Sequence, residues 1–410
     1  MKILFITHYF APDSGAAANR LTRLAKMLQN NGHQVSVLTT MPHYPTGNIP
    51  DAYHGKFSKV ETIDDVRVVH IWLWASQSKR TFMRLISQVS FMLALMLRGI
   101  FEQKPDVIFI ENQPIFTGFA GWFISKIKRT PYVLNISDYW PEYLLIAGLA
   151  TEKSITYRVF KQLAILTQRD AAQIAVMWDG LVDGVKNRLK NPPTTTLIYN
   201  ATDLETFYPD KNGQLFREKY NLGDMPIVSF IGTLGAHIDL ETMLVVAKRL
   251  AEANVTVLFV GTGTQKPDLD SALSQPEYNH CHSIEWIDYS EVPDFWAVST
   301  VNYWAMHDNP LDKLRFQAKL FEALASGTPT VIAIADGLMS ELLSQANAGI
   351  TVQPYDKDAL YQNIQHLLNA NDERENLSKN ARAYADANFD PTITTDRYEH
   401  LLITASNKKY

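Results

Sequence analysis

Gln317-Ala318-Lys319-Leu320-Phe321-Glu322-Ala323-Leu324-Ala325-Ser326-Gly327-Thr328-Pro329, running into Thr330–Ala333, is the stretch that decides the fold. Leu320, Phe321, Leu324 and Ala325 recur at helical spacing and form one apolar stripe. Gly327 stands where a helix closes on a left-handed cap, and Pro329 blocks its continuation. A helix closed this way and feeding a short apolar strand is half of a βαβ unit. Lys319 and Glu322 fall three apart, on one face near the helix start. A lysine there opposes the helix dipole unless an anion is bound beside it. A carboxylate there suits the two hydroxyls of a ribose. The competing reading is an exposed Lys–Glu pair, worth only about 0.3–0.5 kcal/mol.

Outward from this stretch the same alternation continues. Ile227–Ile231, Val255–Val260, Val301–Trp304 and Gly349–Val352 read as strands, with a helix over Leu240–Ala253. The first half repeats it. Ile3–Thr7, Gln34–Leu38, Val66–His70, Val107–Ile110 and Tyr132–Ile136 are strand-like, and Ala16–Asn30 is a helix closed by Asn31-Gly32. The pattern resets near Leu197–Pro209. The expected fold class is α/β, with two doubly wound halves: residues 1–198 and 199–391, and a last helix over 392–408 packing back on the first half. In such sheets ligands bind beyond the carboxyl ends of the strands.

Composition is that of a folded chain: 410 residues, 46% hydrophobic and 20% charged, which excludes disordered and fibrous classes. Cys281 is the single cysteine, so no internal disulfide forms and a reducing, cytoplasmic setting is expected. The apolar run in MKILFITHYF is shorter than the roughly 7–15 residues of a signal-peptide core. No window reaches the ~18 apolar residues of a spanning helix. Phe82–Phe101 comes nearest, broken by Arg84, Ser87, Gln88, Ser90 and Arg98. Charge is uneven. Residues 1–205 hold 22 Lys+Arg against 16 Asp+Glu, net +6, and the remainder is net −11. The basic half, with Trp72, Trp74, Lys79, Arg80 and Arg84 beside the 82–101 segment, fits an anionic surface, nucleic acid or membrane. Two differently solvated domains, and a helix packed on a sheet, explain the same residues.

Three strand ends are glycine-rich. Pro12–Ala18, Ile231-Gly232-Thr233-Leu234-Gly235 and Val260-Gly261-Thr262-Gly263 let a ligand approach the backbone at a helix start, which favours phosphate. None is a GxGxxG or a P-loop. Each is alternatively a loop kept small for packing. Asp138 ends the strand Tyr132–Ile136, as a cleft residue or a helix cap. His280, Cys281 and His282 read as loop residues, and no metal cluster is visible.

Together these residues resemble the retaining glycosyltransferases of family 4. The likeness rests on Tyr9–Gly15 with Arg20, Gly32–Thr39, Ile198–Asp203 with Phe207 and Pro209, Gly261–Gly263 and Lys319–Pro329. Met41–Gly47, Asp138–Glu142 and Asn309–Leu311 resemble the branch that makes bacterial surface polysaccharides and includes fucosamine transferases. The resemblance implies a GT-B fold, two facing Rossmann-like domains with a cleft between them. It implies Gly15, Gly235, Lys319, Leu320 and Glu322 at the donor, and Asp13, Arg20 and Tyr44 at the acceptor. It implies a metal-independent enzyme without cofactor, with a UDP-linked sugar as co-substrate. Its partner would be a polyprenyl-diphosphate-linked acceptor at the inner membrane face, with no nucleic acid. Leu314 stands where many members carry a sugar-reading Glu, and Gly235–Asp239 lacks their Arg–Lys pair. Lys313 and Arg315 are the candidates to supply the missing charge, and Asp138 replaces a family His. An epimerase or phosphorylase of the same fold, or a non-catalytic partner subunit, are the competing functions.

Overall fold

The computed structural model describes residues 1–408 except Ser14, Pro45, Lys79, Arg80, Tyr139, Ala147, Leu311 and Arg315. Readings that fall on those positions, Arg315 among them, lie outside the described residues. The chain divides into two compact units, Met1–Asn200 with the segment from Thr392, and Ala201–Pro391.

The first unit carries eight strands: β1 (Lys2–Ile6), β2 (Gln34–Thr40), β3 (Ser58–Ile63), β4 (Val66–Ile71), β5 (Val107–Glu111), β6 (Tyr132–Ile136), β7 (Gln173–Val176) and β8 (Thr195–Leu197). Their order is β3-β4-β2-β1-β5-β6-β7-β8. All pairs are parallel except β3 against β4. That hairpin escaped the sequence reading because its turn is only Asp64-Asp65. Both residues take positive φ, 48° and 62°, as a two-residue hairpin loop requires. Strand β1 is fully sandwiched: Ile3 aligns with Val35 on one side and Val107 on the other. Buried on both faces, it reads as an unbroken apolar run.

The second unit carries β9 (Ile227–Ile231), β10 (Thr256–Val260), β11 (Cys281–Ile284), β12 (Val301–Ala305), β13 (Thr330–Ala333) and β14 (Gly349–Val352), ordered β11-β10-β9-β12-β13-β14 and all parallel. Cys281 and His282 lie in β11, not in a loop as read from sequence. They pair with Val257 and Leu258, at an edge where every residue of the strand stays half-exposed and polar residues are tolerated.

In each unit the strand order reverses beside the first strand, so β1 and β9 end at switch points. Crossovers to either side leave a crevice there, where such folds bind ligands.

The helix Pro391–Ser406 belongs to the first unit. Leu401, Leu402 and Ala405 join its core. The Tyr398 ring stands edge-on to Phe109 with centroids 5.7 Å apart, and its hydroxyl donates to Asn135 Oδ1 at 2.9 Å. Glu399 accepts from Asn31 at 2.6 Å and pairs with His33 at 2.8 Å. The helix Thr81–Ile100 lies against the same unit through Phe91, Ala94 and Leu95. Tyr398→Ala removes a buried ring and its hydrogen bond together. It should lower the unfolding free energy by about 3–5 kcal/mol in urea denaturation.

Candidate active site

The loop leaving β9 is built on backbone contact. Gly232 N–H donates to Val260 O and Leu234 N–H to Thr262 O, both at 2.9 Å. A Cβ on Gly261 would stand 1.9 Å from Gly232 O, and one on Gly263 2.3 Å from Leu234 O. Those two glycines therefore let the loops after β9 and β10 lie flat on each other. Their contacts fit the alternative reading, a loop kept small for packing. Gln265 Nε2 donates to Gly235 O at 2.6 Å and Ile238 O at 3.0 Å, which pins the turn that follows.

Lys319 reaches this loop from the start of the helix Ala318–Ala325. Its Nζ rests 3.9 Å from the Phe230 ring centroid and 4.3 Å from that of Trp304. The position a Cβ would take on Gly232 is 3.3 Å from Nζ. The aromatic pair at the ends of β9 and β12 thus cradles the ammonium by cation–π attraction. Lys319 is buried, and burial pushes its pKa well below the usual lysine range. Among the described residues no carboxylate pairs with it.

Glu322 lies one turn on and does not pair with Lys319, so the surface ion-pair reading falls. The carboxyl accepts from the Tyr289 hydroxyl at 3.4 Å. The Trp296 indole N–H faces it as a second donor, short of full hydrogen-bond geometry. Burial pushes the Glu322 carboxyl up to about 7 against the pull of these donors.

The other donor-side predictions fare differently. Leu320 is fully buried and its amide already donates to Gln317 O at 3.0 Å, so it offers no open N–H. Gly235 carries the His237 ring over it: a Cβ there would stand 3.1 Å from that ring. Lys313 pairs with Asp308 at 2.9 Å in an exposed position. Phe230 and Trp304 were missed as holders of the ammonium, because apolar residues at strand ends read as core.

In the first unit, the loop leaving β1 is tied to the loop after β2. Asp13 Oδ1 accepts from the amides of His43 and Tyr44 at 2.8 and 3.0 Å. Gly15 lies under Tyr44, where a Cβ would come 3.1 Å from the ring. Asp13 and Gly15 thus shape the loop and present Tyr44. A cavity of about 470 Å³ opens here, lined by Tyr9, His43, Tyr44, Arg84, Ser87 and Gln88 among others. Buried His8 backs it. Among the described residues its Nδ1 has no hydrogen-bond partner, and burial with His43 beside it keeps the imidazole neutral.

Arg20, expected at the acceptor, is tied to Glu111. Its Nη2 donates to Glu111 at 2.8 Å inside the unit. Glu111 also accepts from Asn135 at 2.7 Å and Ser137 at 2.6 Å. Ser137 lies 3.1 Å from Gln113 Oε1, and Gln113 Nε2 donates to Asp138. Asp138 is therefore the outer end of a polar chain anchored on a buried ion pair. Gln113 also lines a second cavity of about 150 Å³, which shares Tyr9 and Gln88 with the first.

Two Rossmann-like parallel-sheet units, each with a switch point beside its first strand, are the GT-B architecture. Sucrose-phosphate synthase from Thermosynechococcus elongatus shares it, with TM-score 0.73, 18% identity and 98% of each chain covered. So does HepE from Anabaena, solved with UDP-glucose, with TM-score 0.69, 17% identity, and 98% of this chain and 100% of that one covered. The family model for a glycosyl transferase 4-like domain matches residues 15–201, and that for glycosyl transferases group 1 matches residues 225–370. The chain is 23% identical to the putative colanic acid biosynthesis glycosyl transferase of Escherichia coli, over 90% of its own length and 92% of that protein. The chain belongs to the glycosyltransferases assembled from these two domains.

Glu322 supplies a test of this geometry. An acid whose folded-state pKa is raised stabilises the fold at low pH. That stability is lost as pH climbs from its ordinary value near 4.5 through about 7. Without nucleotide, the unfolding free energy of the wild type relative to Glu322→Gln should fall by up to about a few kcal/mol between about pH 4 and about pH 8. Parallel urea titrations at each pH measure it, and a flat difference sinks the buried-carboxyl assignment.

Proposed function

We propose that the protein is a retaining, metal-independent glycosyltransferase that uses a nucleoside-diphosphate sugar, with UDP as the carrier. The observation that carries this is the buried, unpaired ammonium of Lys319 at the switch-point loop. A cation taken out of water costs several kcal/mol unless an anion or donor shell replaces the solvent. Two aromatic faces offset part of that cost. A diphosphate lying against Gly232 would supply the rest, and Glu322 one turn on would accept from the ribose hydroxyls.

In this reading the bond from the sugar's anomeric carbon to the diphosphate oxygen breaks, and the electron pair leaves with the diphosphate. The acceptor hydroxyl forms the new bond on the same face and passes its proton to the departing phosphate oxygen. Lys319 offsets the charge that develops on that oxygen, which preorganised electrostatics does without rearrangement. Asp138, Lys313 and Arg315 are assigned to the reacting end. Lys313 would first have to leave its exposed pair with Asp308, which costs at most about 1 kcal/mol.

The acceptor occupies the cavity of the first unit, where Tyr9 and Tyr44 offer ring faces and Ser87 and Gln88 offer hydrogen bonds. We assign it as a glycan on a polyprenyl diphosphate, in surface-polysaccharide synthesis at the inner face of the cell membrane. The colanic acid relative and the net positive charge of residues 1–205 support that choice. The transferred sugar is a hexose, an N-acetylhexosamine or a deoxyhexosamine such as fucosamine.

Lys319→Met keeps the volume and removes the buried charge. It should raise the melting temperature of the free protein, since an apolar group replaces an unpaired cation. It should also weaken UDP binding at least about tenfold, or about 1.4 kcal/mol. The stabilisation that saturating UDP gives the wild type reads both effects at once. Undiminished UDP binding by Lys319→Met would remove the basis of the proposal.

A further inference from the structure

The helix Thr81–Ile100 has two apolar sides, and the first unit uses one. Phe91, Ala94 and Leu95 are buried, and Gly99 lets the helix close on its neighbour: a Cβ there would stand 2.4 Å from Ile124. The opposite side is open. Phe82 is 68% exposed, Leu93 58%, Leu97 53% and Phe101, just past the end, 76%. Leu93, Leu97 and Phe101 follow at four-residue steps, so they line one stripe. Trp74, 52% exposed, is held alongside by its amide, which donates to Ser90 Oγ at 2.8 Å.

Along the segment that carries this stripe the charge is of one sign. The sequence holds no Asp or Glu from Val66 through Phe101. Glu102, the first acid beyond it, is neutralised by Arg67 at 2.8 Å and Arg98 at 2.7 Å. Arg84 is exposed and has no ion-pair partner among the described residues. An apolar stripe with a tryptophan at its flank, an exposed arginine and no unpaired acid in its own segment is complementary to an anionic lipid surface. The helix has the length and composition of a membrane span. Its packing on the unit's own core fixes it lengthwise on the outside instead, so it lies in an interface rather than crossing it.

We propose that the Leu93–Leu97–Phe101 stripe with Trp74 is a docking face for an anionic phospholipid bilayer. The same helix lines the 470 Å³ cavity through Met83, Arg84, Ser87 and Gln88. One element therefore sits in the lipid boundary on one side and reads a polar head group on the other. That second role, delivery of a lipid-borne acceptor from the bilayer into the cavity, rests on the acceptor reading above; the docking face does not.

Co-sedimentation of the full chain with phosphatidylcholine vesicles, with and without phosphatidylglycerol, tests it. Binding is expected with phosphatidylglycerol, and should fall at least about tenfold without it or in the exposed Leu93→Asp/Leu97→Asp double variant. Trp74→Ala, which leaves the helix untouched, should weaken binding less. UDP stabilisation of the double variant should match wild type, which separates lost docking from lost folding. Wild type that ignores phosphatidylglycerol vesicles, or a double variant that binds as well as wild type, overturns the proposal. So does a dimer in sedimentation velocity that the double variant dissolves, because the stripe would then be a contact between copies. Vesicle binding without any UDP effect upholds the docking face and fails the donor reading alone.

Discussion

A lysine ammonium held out of water needs something negative beside it, and the second unit is arranged around supplying everything except that. Lys319 is placed by a helix that starts at Ala318. Its stem is buried between β9 and β12, and its head is held by the rings of Phe230 and Trp304. Aromatic faces stabilise a cation by about 0.5–2 kcal/mol, which is less than the cost of burying it. Burial therefore pushes the lysine toward its neutral form, and an arriving diphosphate would restore the proton. Glu322 is displaced the other way: burial pushes its carboxyl up, and hydroxyl donors from a ribose would favour the ionised form. Two adjacent residues are thus strained in opposite electrostatic senses, and one ligand with an anionic end and a hydroxyl end relieves both.

That arrangement needs a clear strand end, and the glycines provide it. With a side chain at Gly261 or Gly263 the loop after β10 would push the loop after β9 off its backbone partners. Gly232 would then move away from the Lys319 head. Glycine at these positions acts on the ligand site through packing, one step removed from contact. The first unit uses a different device for the same end. Asp13 accepts two consecutive amides, so a buried carboxylate rather than close backbone contact orders the loop that carries Tyr44.

The alternation of strand and helix was legible because buried parallel strands are apolar on both faces and their helices carry a single stripe. The switch points followed from it. Lys319 and Glu322 were legible because a lysine early in a helix conflicts with the dipole and so calls for an explanation. Sequence spacing could not reveal the partners of charged groups. Arg20, on the helix that follows β1, and Glu111, at the end of β5, are 91 residues apart, and it is the parallel pairing of β1 with β5 that sets those two strand ends side by side. Nor could it separate a glycine that faces a ligand from one that faces another backbone. Phe230 and Trp304 look like ordinary strand-end core residues, and their cation-holding role appears only once β9 and β12 are neighbours.

The helix Thr81–Ile100 shows why composition left two readings open that structure does not set against each other. An all-round apolar helix is usually buried all round. Here the burying side is made short by Gly99, Ala94 and the close approach of Ile124, so the core closes without enclosing the rest. The leftover apolar side is not compensated by nearby acids, which would have kept it in water and away from anionic surfaces. A soluble domain gains nothing from exposing leucine, phenylalanine and tryptophan on and beside the helix that carries the exposed Arg84. The arrangement is economical only where the solvent on that side is itself an anionic, apolar boundary.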